Sequence, residues 1–363
     1  MRLGAVLRGF LSRFGRSEQT LPAPTRGPVT HVVILDGTMS SLREGRETNA
    51  GLLYKLVSET APSARVSVRY EAGVQWQSWR TTMDVIEGRG INRQIRRMYG
   101  VLASRYRQGD RIFLFGYSRG AFAVRSLAGV IDQVGLLRRE HATERAVRVA
   151  WRHYERGGDS PAAARFRTLF CHAAAPIEMV GVWDTVKALS LRLPLVWHLR
   201  ERRTRFHSPA LGASVKHGFH ALALDETRDA FKPVLWQCDP GWAGHVEQVW
   251  FRGNHGDIGG QLNGDLDSRP LSNIPLVWML GRAEACGLTL PNGWRARFPT
   301  DVTAPSVSTY KRWGKLFLLR SRRVVGRDPT ERLHPTAERI VRQGIRARVA
   351  TLMAAMPGAR RPG

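Results

Sequence analysis

Lysine and cysteine are both scarce in this chain, and acidic residues are outnumbered. Six of its 56 basic residues are lysine, which leaves 50 arginines against 30 aspartates and glutamates. The three cysteines, Cys171, Cys238 and Cys286, are widely spaced and odd in number. No Cys-x-x-Cys pair occurs, which argues against a disulfide framework or a cysteine-built zinc site and for unpaired thiols. No apolar run reaches the ~20 residues of a membrane-spanning helix. The first residues lack a long apolar stretch ending in a small-residue cleavage site, so no classical signal peptide is expected. Internal repeats and long low-complexity segments are absent as well. What is present is a chain of 363 residues, 43% apolar and 24% charged. That is enough to bury the core of one α/β domain with extensions.

The formal net charge is +26, and it is unevenly spread. Residues 1–28 carry five arginines and one acid, and residues 311–363 carry 14 basic residues and three acids. These arms hold 15 of the 26 charges. Leu3, Val6, Leu7, Phe10, Leu11 and Phe14 fall at helical spacing, with Arg2, Arg8, Arg13 and Arg16 largely between them. That is a basic amphipathic pattern. Basic arms suit an anionic partner, and peripheral contact with an anionic membrane is the expectation they raise. The plainer alternative is the solvated surface of an arginine-rich chain. No recognition-helix motif, zinc finger or aromatic RNA-binding signature is present, so no specific nucleic-acid partner is expected. The expected location is cytoplasmic or membrane-peripheral, with export by a specialised secretion route left open. Nothing in the sequence addresses oligomeric state.

Residues 111–122 carry the strongest chemical signal. A short apolar run, Ile112–Phe115, is followed at once by Gly116-Tyr117-Ser118-Arg119-Gly120 and then by a helical pattern, Ala121–Val134. Strand, Gly-x-Ser-x-Gly, helix is the layout of a nucleophile elbow. A serine hydroxyl is a weak nucleophile at neutral pH and must be presented and activated. The turn aims Oγ out of the sheet, the glycines relieve steric crowding, and the helix start supplies free N–H groups near a developing oxyanion.

Other segments read as strands or helices around it. His31–Leu35, Arg65–Tyr70, Ile177–Trp183 and Val246–Phe251 read as strands. Residues 91–107 and 274–286 read as helices, and residues 142–172 as helical with a break at Gly157-Gly158. This alternation predicts an α/β fold, an α/β-hydrolase-like, mostly parallel sheet with helices on both faces. Asp36-Gly37-Thr38, Ser118, Asp184 and His255 each lie just past the end of a predicted strand. In a parallel sheet those ends share one edge, where active sites form. Serine needs an imidazole to take its proton, and the imidazole needs a carboxylate to fix its tautomer. His255, in a glycine-rich loop, is the candidate base, with His217, His220 and His334 as competitors. Asp184 is the candidate acid, with Asp225 and Asp257 as alternatives and helix capping as its plainer role. The order Ser118, Asp184, His255 is that of α/β-hydrolases. Oxyanion donors are expected from the backbone of Arg119 and of Gly37 or Thr38, with Asp36 and Asp257 as supporting residues. This chemistry requires no cofactor, and no His/Cys cluster at ligand spacing suggests a metal. Were a metal involved, Asp36 and Asp257 would be its ligands.

Five ordered blocks resemble one family. They are Val-Ile-Leu-Asp-Gly-Thr (33–38), Phe-Gly-Tyr-Ser-Arg-Gly-Ala-Phe (115–122), Gly-Val-Trp-Asp-Thr-Val (181–186), Ala-Leu-Asp-Glu-Thr-Arg (223–228) and Trp-Phe-Arg-Gly-Asn-His-Gly-Asp-Ile-Gly-Gly (250–260). They are similar to the motif blocks of an uncharacterised α/β-hydrolase family that includes the catalytic domains of type VI secretion phospholipase effectors. The resemblance implies Ser118 as nucleophile, Asp184 as acid, His255 as base and a lipid ester as substrate. The chain departs from the family at Met39-Ser40, where an aromatic residue and asparagine are usual. The expected organisation is an arm (1–28), a catalytic domain (29–295) and a basic C-terminal extension (296–363), with residues 187–215 as a candidate lid. The expected function is a serine esterase or lipase. A catalytically inactive scaffold and a basic nucleic-acid or anionic-surface binding protein are the alternatives. A haloacid-dehalogenase-type phosphatase also begins strand-Asp-Gly-Thr, but its nucleophile would occupy position 34, which is Ile34.

Overall fold

Val32, Val33, Ile34 and Leu35 alternate between two apolar cores, one on each side of a sheet. Val33 and Leu35 join one cluster, while Val32 and Ile34 join the other. Side chains on a strand point to opposite faces in turn, so a strand buried on both sides needs apolar residues at every position. The computed structural model describes residues 26–62, 65–73, 89–186, 210–237, 241–310 and 317–338. The predicted arm at 1–28 lies almost wholly outside these residues, as do most of the candidate lid and residues 339–363.

Within the described residues the chain forms β1 (Thr30–Leu35), α1 (Asn49–Thr60), β2 (Val66–Glu71), α2 (Arg89–Arg105) and β3 (Arg111–Tyr117). Next come α3 (Arg119–Val134), α4 (Glu144–Glu155), α5 (Pro161–Phe170), β4 (Ile177–Trp183) and β5 (Val215–Ala223). Then follow β6 (His245–Phe251), α6 (His255–Gly259), α7 (Arg269–Ala285) and β7 (Glu331–Leu333). The strands make one sheet in the order β2-β1-β3-β4-β5-β6-β7, and every pairing is parallel. Residues of α2, α3, α4 and α5 pack on one face, and those of α1 and α7 on the other. The α/β architecture expected from the sequence is the one observed.

The chain leaves β1 for β2 and returns to β3 on β1's other side. Loops after β1 and β3 therefore diverge, which opens a crevice at the carboxyl edge. Several elements differ from their sequence expectation. Helix α7 begins at Arg269 rather than Ile274, because Pro270 sits in the first turn, where a missing N–H costs nothing. Helix α1 is started by Thr48, whose Oγ1 accepts from Gly51 N at 2.9 Å. Strand β5 has no counterpart in the sequence reading, since Lys216, His217, Gly218 and His220 interrupt its apolar pattern. Strand β7 comes from the segment assigned to the C-terminal extension, and at three residues it is too short to show a period.

Candidate active site

Ser118 sits between β3 and α3 with φ 57° and ψ −120°. Its N–H donates to Trp183 O at 3.0 Å, which ties the turn to β4. The positive φ falls on the serine itself. The flanking glycines serve close approach. A Cβ on Gly116 would lie 2.6 Å from Gly120 O, and one on Gly120 would run into Leu35 O. Residues bearing a side chain cannot occupy either position without moving backbone.

His255 and Asp184 meet Ser118 at this edge. His255 Nε2 is 2.9 Å from Ser118 Oγ, and His255 Nδ1 is 2.6 Å from Asp184 Oδ2. An ionised carboxylate can only accept, so Nδ1 is the donor in that pair and Nε2 is left to accept the serine proton. All three residues are buried. Burial alone would raise the Asp184 carboxyl. The charge of Arg323 and hydrogen bonds from His255 and Arg323 overrule it and hold the group well below the usual carboxylate range.

His255 is the first residue of α6 rather than part of a free loop. Asn254 Oδ1 accepts from Gly256 N at 2.8 Å and from Asp257 N at 3.4 Å, and Asp257 Oδ2 accepts from Asn254 N at 2.8 Å, a reciprocal capping box. Asp257 also accepts from Ser306 Oγ at 2.5 Å and Val307 N at 3.0 Å. Asp225 accepts from Gly253 N at 2.7 Å, so it braces the approach to His255 without touching the imidazole. Glu226 Oε2 takes the His255 backbone N–H at 3.2 Å and pairs with Arg228 at 2.6 Å. The Tyr117 and Phe231 rings flank the imidazole at 4.9 and 4.8 Å. The competing histidines are engaged elsewhere. His217 Nδ1 meets Glu178 O, and His334 Nδ1 meets Thr336 Oγ1. His220 accepts from Thr185 N at 3.1 Å and is pushed down to about 3, chiefly by burial and then by Arg125.

The loop after β1 closes the other side. Asp36 accepts from Gly37 N at 2.6 Å, Thr48 Oγ1 at 2.5 Å and Tyr70 Oη at 2.7 Å. Burial nonetheless pushes its carboxyl up to about 6. Because the Gly37 N–H is engaged by Asp36, Thr38 is the remaining candidate donor of the two. Gln261 Nε2 donates to Thr38 O, on the next peptide, at 2.9 Å. The second candidate, Arg119 N, opens α3, where first-turn N–H groups have no intrahelical partner. Arg119 is 6% exposed, and burial lowers its guanidinium to about 10. Among the described residues it makes no ion pair. No group of three or more His, Cys, Asp or Glu is placed to hold a metal among these residues, and no helix is long and apolar enough to cross a membrane.

Sequence reading misses Arg323, Glu226 and Asn254 as site components. Glu226 and Asn254 lie inside motif blocks, beside Asp225 and His255. Arg323 is one of 50 arginines and carries no local signal.

Comparison with known proteins adds a family to this geometry. The sequence model described as T6SS, phospholipase effector Tle1-like, catalytic domain matches residues 30–282. The chain belongs to this family. Of curated relatives, the uncharacterised protein YEL023C of Saccharomyces cerevisiae is 28% identical over 235 residues, 58% of this chain and 33% of its own length. A crystal structure of an uncharacterised protein from Pseudomonas aeruginosa is 15% identical with a TM-score of 0.47, covering 81% of this chain and 50% of that one. The Tle1 effector bound to the VgrG spike of the type VI secretion system is 19% identical with a TM-score of 0.36, covering 65% and 52%. The chain thus spans a third of the curated relative's length and half of the Pseudomonas protein's. The five motif blocks all fall within the residues matched to the Tle1-like family.

Proposed function

We propose that this chain is a serine hydrolase of carboxylic esters, with lipid and specifically phospholipid esters as substrates. In this reading His255 Nε2 takes the Ser118 proton as Oγ attacks the ester carbonyl. The carbonyl oxygen gains negative charge, which the N–H groups of Arg119 and Thr38 receive. The tetrahedral intermediate collapses as His255 protonates the departing alcohol oxygen, leaving an acyl-Ser118 ester. Water, deprotonated by His255, then attacks that ester and frees the acid and Ser118. Asp184 holds the imidazole tautomer throughout and offsets its charge. The observation that carries this reading is the continuous chain Ser118 Oγ–His255–Asp184, at 2.9 and 2.6 Å, on a serine held at positive φ.

Membership of a phospholipase effector family supports the lipid substrate. The buried Arg119 guanidinium, one residue from the nucleophile, supports an anionic one, since a desolvated charge is costly unless something pairs it. A net charge of +26 supports contact with an anionic membrane. The test is a fluorophosphonate probe with a parallel ester assay. Native protein should be labelled and Ser118→Ala should not. His255→Ala should lower kcat by at least about 10³-fold. Labelling that persists in Ser118→Ala would remove Ser118 as nucleophile.

A further inference from the structure

Asp184 carries more than its hydrogen bond to His255. Arg323 approaches it fork to fork, with Nη1 2.5 Å from Oδ1 and Nη2 2.9 Å from Oδ2. The same guanidinium donates to Ala223 O at 2.8 Å and Phe231 O at 2.5 Å. Its side chain is 4% exposed and that of Asp184 is fully buried. Ala223 N takes the remaining approach to Oδ1 at 3.1 Å. Nothing about this arrangement is local, since Arg323 lies 139 residues beyond Asp184. The segment that brings it is tied down on both sides. Leu319 O accepts from Asp229 N at 3.0 Å, and Ser321 N donates to Thr227 O at 2.8 Å. Phe317 meets Phe231 edge to face at 5.4 Å, and Phe231 in turn lies against His255. Beyond Arg323, the pairing of β7 with β6 fixes the far end of the segment.

We propose that Arg323 is a positioning residue of the active site, which locks the Asp184 carboxylate in place and offsets its charge beside His255. The proposal rests on the Ser118–His255–Asp184 reading. Its physical basis is the charge around the imidazole. From the end of β4 comes Asp184, paired with Arg323. From the loop after β5 come Asp225 and also Glu226, which takes the His255 N–H and is paired with Arg228 at 2.6 Å. From β3 come Tyr117 and, beyond it, Ser118. Asp257 lies on the imidazole's own helix and faces Ser306 and Val307. The two carboxylates that touch His255 are thus each offset by an arginine. Removing the Arg323 charge leaves Asp184 uncompensated, which favours the imidazolium in the resting enzyme. A protonated His255 cannot accept the Ser118 proton.

The experiment is the pH profile of kcat/KM on a soluble short-chain ester, using the full chain. Arg323→Met should lower kcat/KM by about 10–100-fold through a misplaced carboxylate. It should also move the acid limb of the profile up by about one pH unit. Arg323→Lys keeps the charge but not the fork. It should lose rate while its acid limb stays at the native position. Methylguanidinium added to Arg323→Ala should restore rate and limb together. An acid limb unmoved in folded Arg323→Met overturns the proposal. If the Met and Ala variants do not fold, Arg323→Lys decides alone, and a displaced limb there overturns it. Fluorophosphonate labelling of native protein separates the two readings. Labelling at Ser118 with an unmoved limb sinks only the role of Arg323, whereas absent labelling sinks the serine mechanism beneath it.

Discussion

Ser118 holds a backbone conformation that costs an ordinary residue of order 1–3 kcal/mol. The close approach of Gly116 to Gly120 and of Gly120 to Leu35, with the bond to Trp183 O, keeps it there. Asp36 shows a different strain, with a charge disfavoured by its surroundings. Its folded pKa is raised from 3.8 to about 6, mainly by burial. The folded state therefore holds the proton more tightly than the unfolded chain. That contribution to stability is present in full below the unfolded value and is lost as pH rises through about 6. Two pKa units correspond to about 3 kcal/mol. Asp184 acts in a different window, because its pKa is depressed and its contribution is lost only as pH falls below the ordinary carboxylate range. Asp36→Asn should therefore gain stability relative to native protein between about pH 4 and about pH 6.5, by up to about 3 kcal/mol. Urea unfolding of both proteins at the two pH values measures this. A stability difference that does not change with pH would mean that Asp36 titrates alike folded and unfolded.

At the scale of elements, the site is placed by one short helix and three strand ends. Helix α6 has five residues, too few for its own hydrogen bonds to hold it. The capping box of Asn254 and Asp257 supplies what the helix lacks. Asn254→Ala removes a cap worth about 1 kcal/mol. It should lower kcat more than KM is changed, because the imidazole loses its aim while the substrate site keeps its walls. Steady-state kinetics with a soluble ester checks this, and native kcat in the variant would show that other contacts alone orient His255. The same element explains what can be read in advance. Strand ends carrying Asp36, Ser118, Asp184 and His255 are legible because buried parallel strands are apolar throughout and end abruptly in polar turns. Strand β5 is not, because its histidines and Lys216 satisfy partners that only the fold supplies, such as Glu178 O for His217. Arg323 is invisible for the same reason. Its partner is 139 residues away, and no local pattern marks a long-range ion pair.

For the whole molecule, a cluster of charge lies on one surface away from the site. A groove of about 800 Å³ between α2 and α4 is lined by Arg93, Arg96, Arg145, Arg148 and Arg152. Arg148 pairs with Glu144, and Glu155 takes the Trp151 Nε1–H at 2.7 Å. Among the described residues Arg93, Arg145 and Arg152 make no ion pair. Other surface arginines are paired, as where Arg282, Arg295 and Arg297 meet Glu247, Glu284 and Glu59. Like charges at i, i+3 and i+4 disfavour a helix, so the stripe on α4 weakens the fold unless an anion relieves it. Arginines near an anionic bilayer contribute about 1 kcal/mol each within a Debye length. Binding of the full chain to phosphatidylglycerol vesicles should fall as salt rises. Replacing Arg93, Arg96 and Arg152 by Gln should weaken it by on the order of 100-fold at low salt. The same change at Arg282, Arg295 and Arg297 removes equal charge from balanced pairs and should weaken it less. Both triple variants should hydrolyse a soluble short-chain ester at the native rate, since neither set touches Ser118, His255 or Asp184. Equal loss in the two triple variants would assign membrane contact to total charge rather than to this groove, and tighter salt-sensitive binding to RNA than to vesicles would assign the groove to nucleic acid.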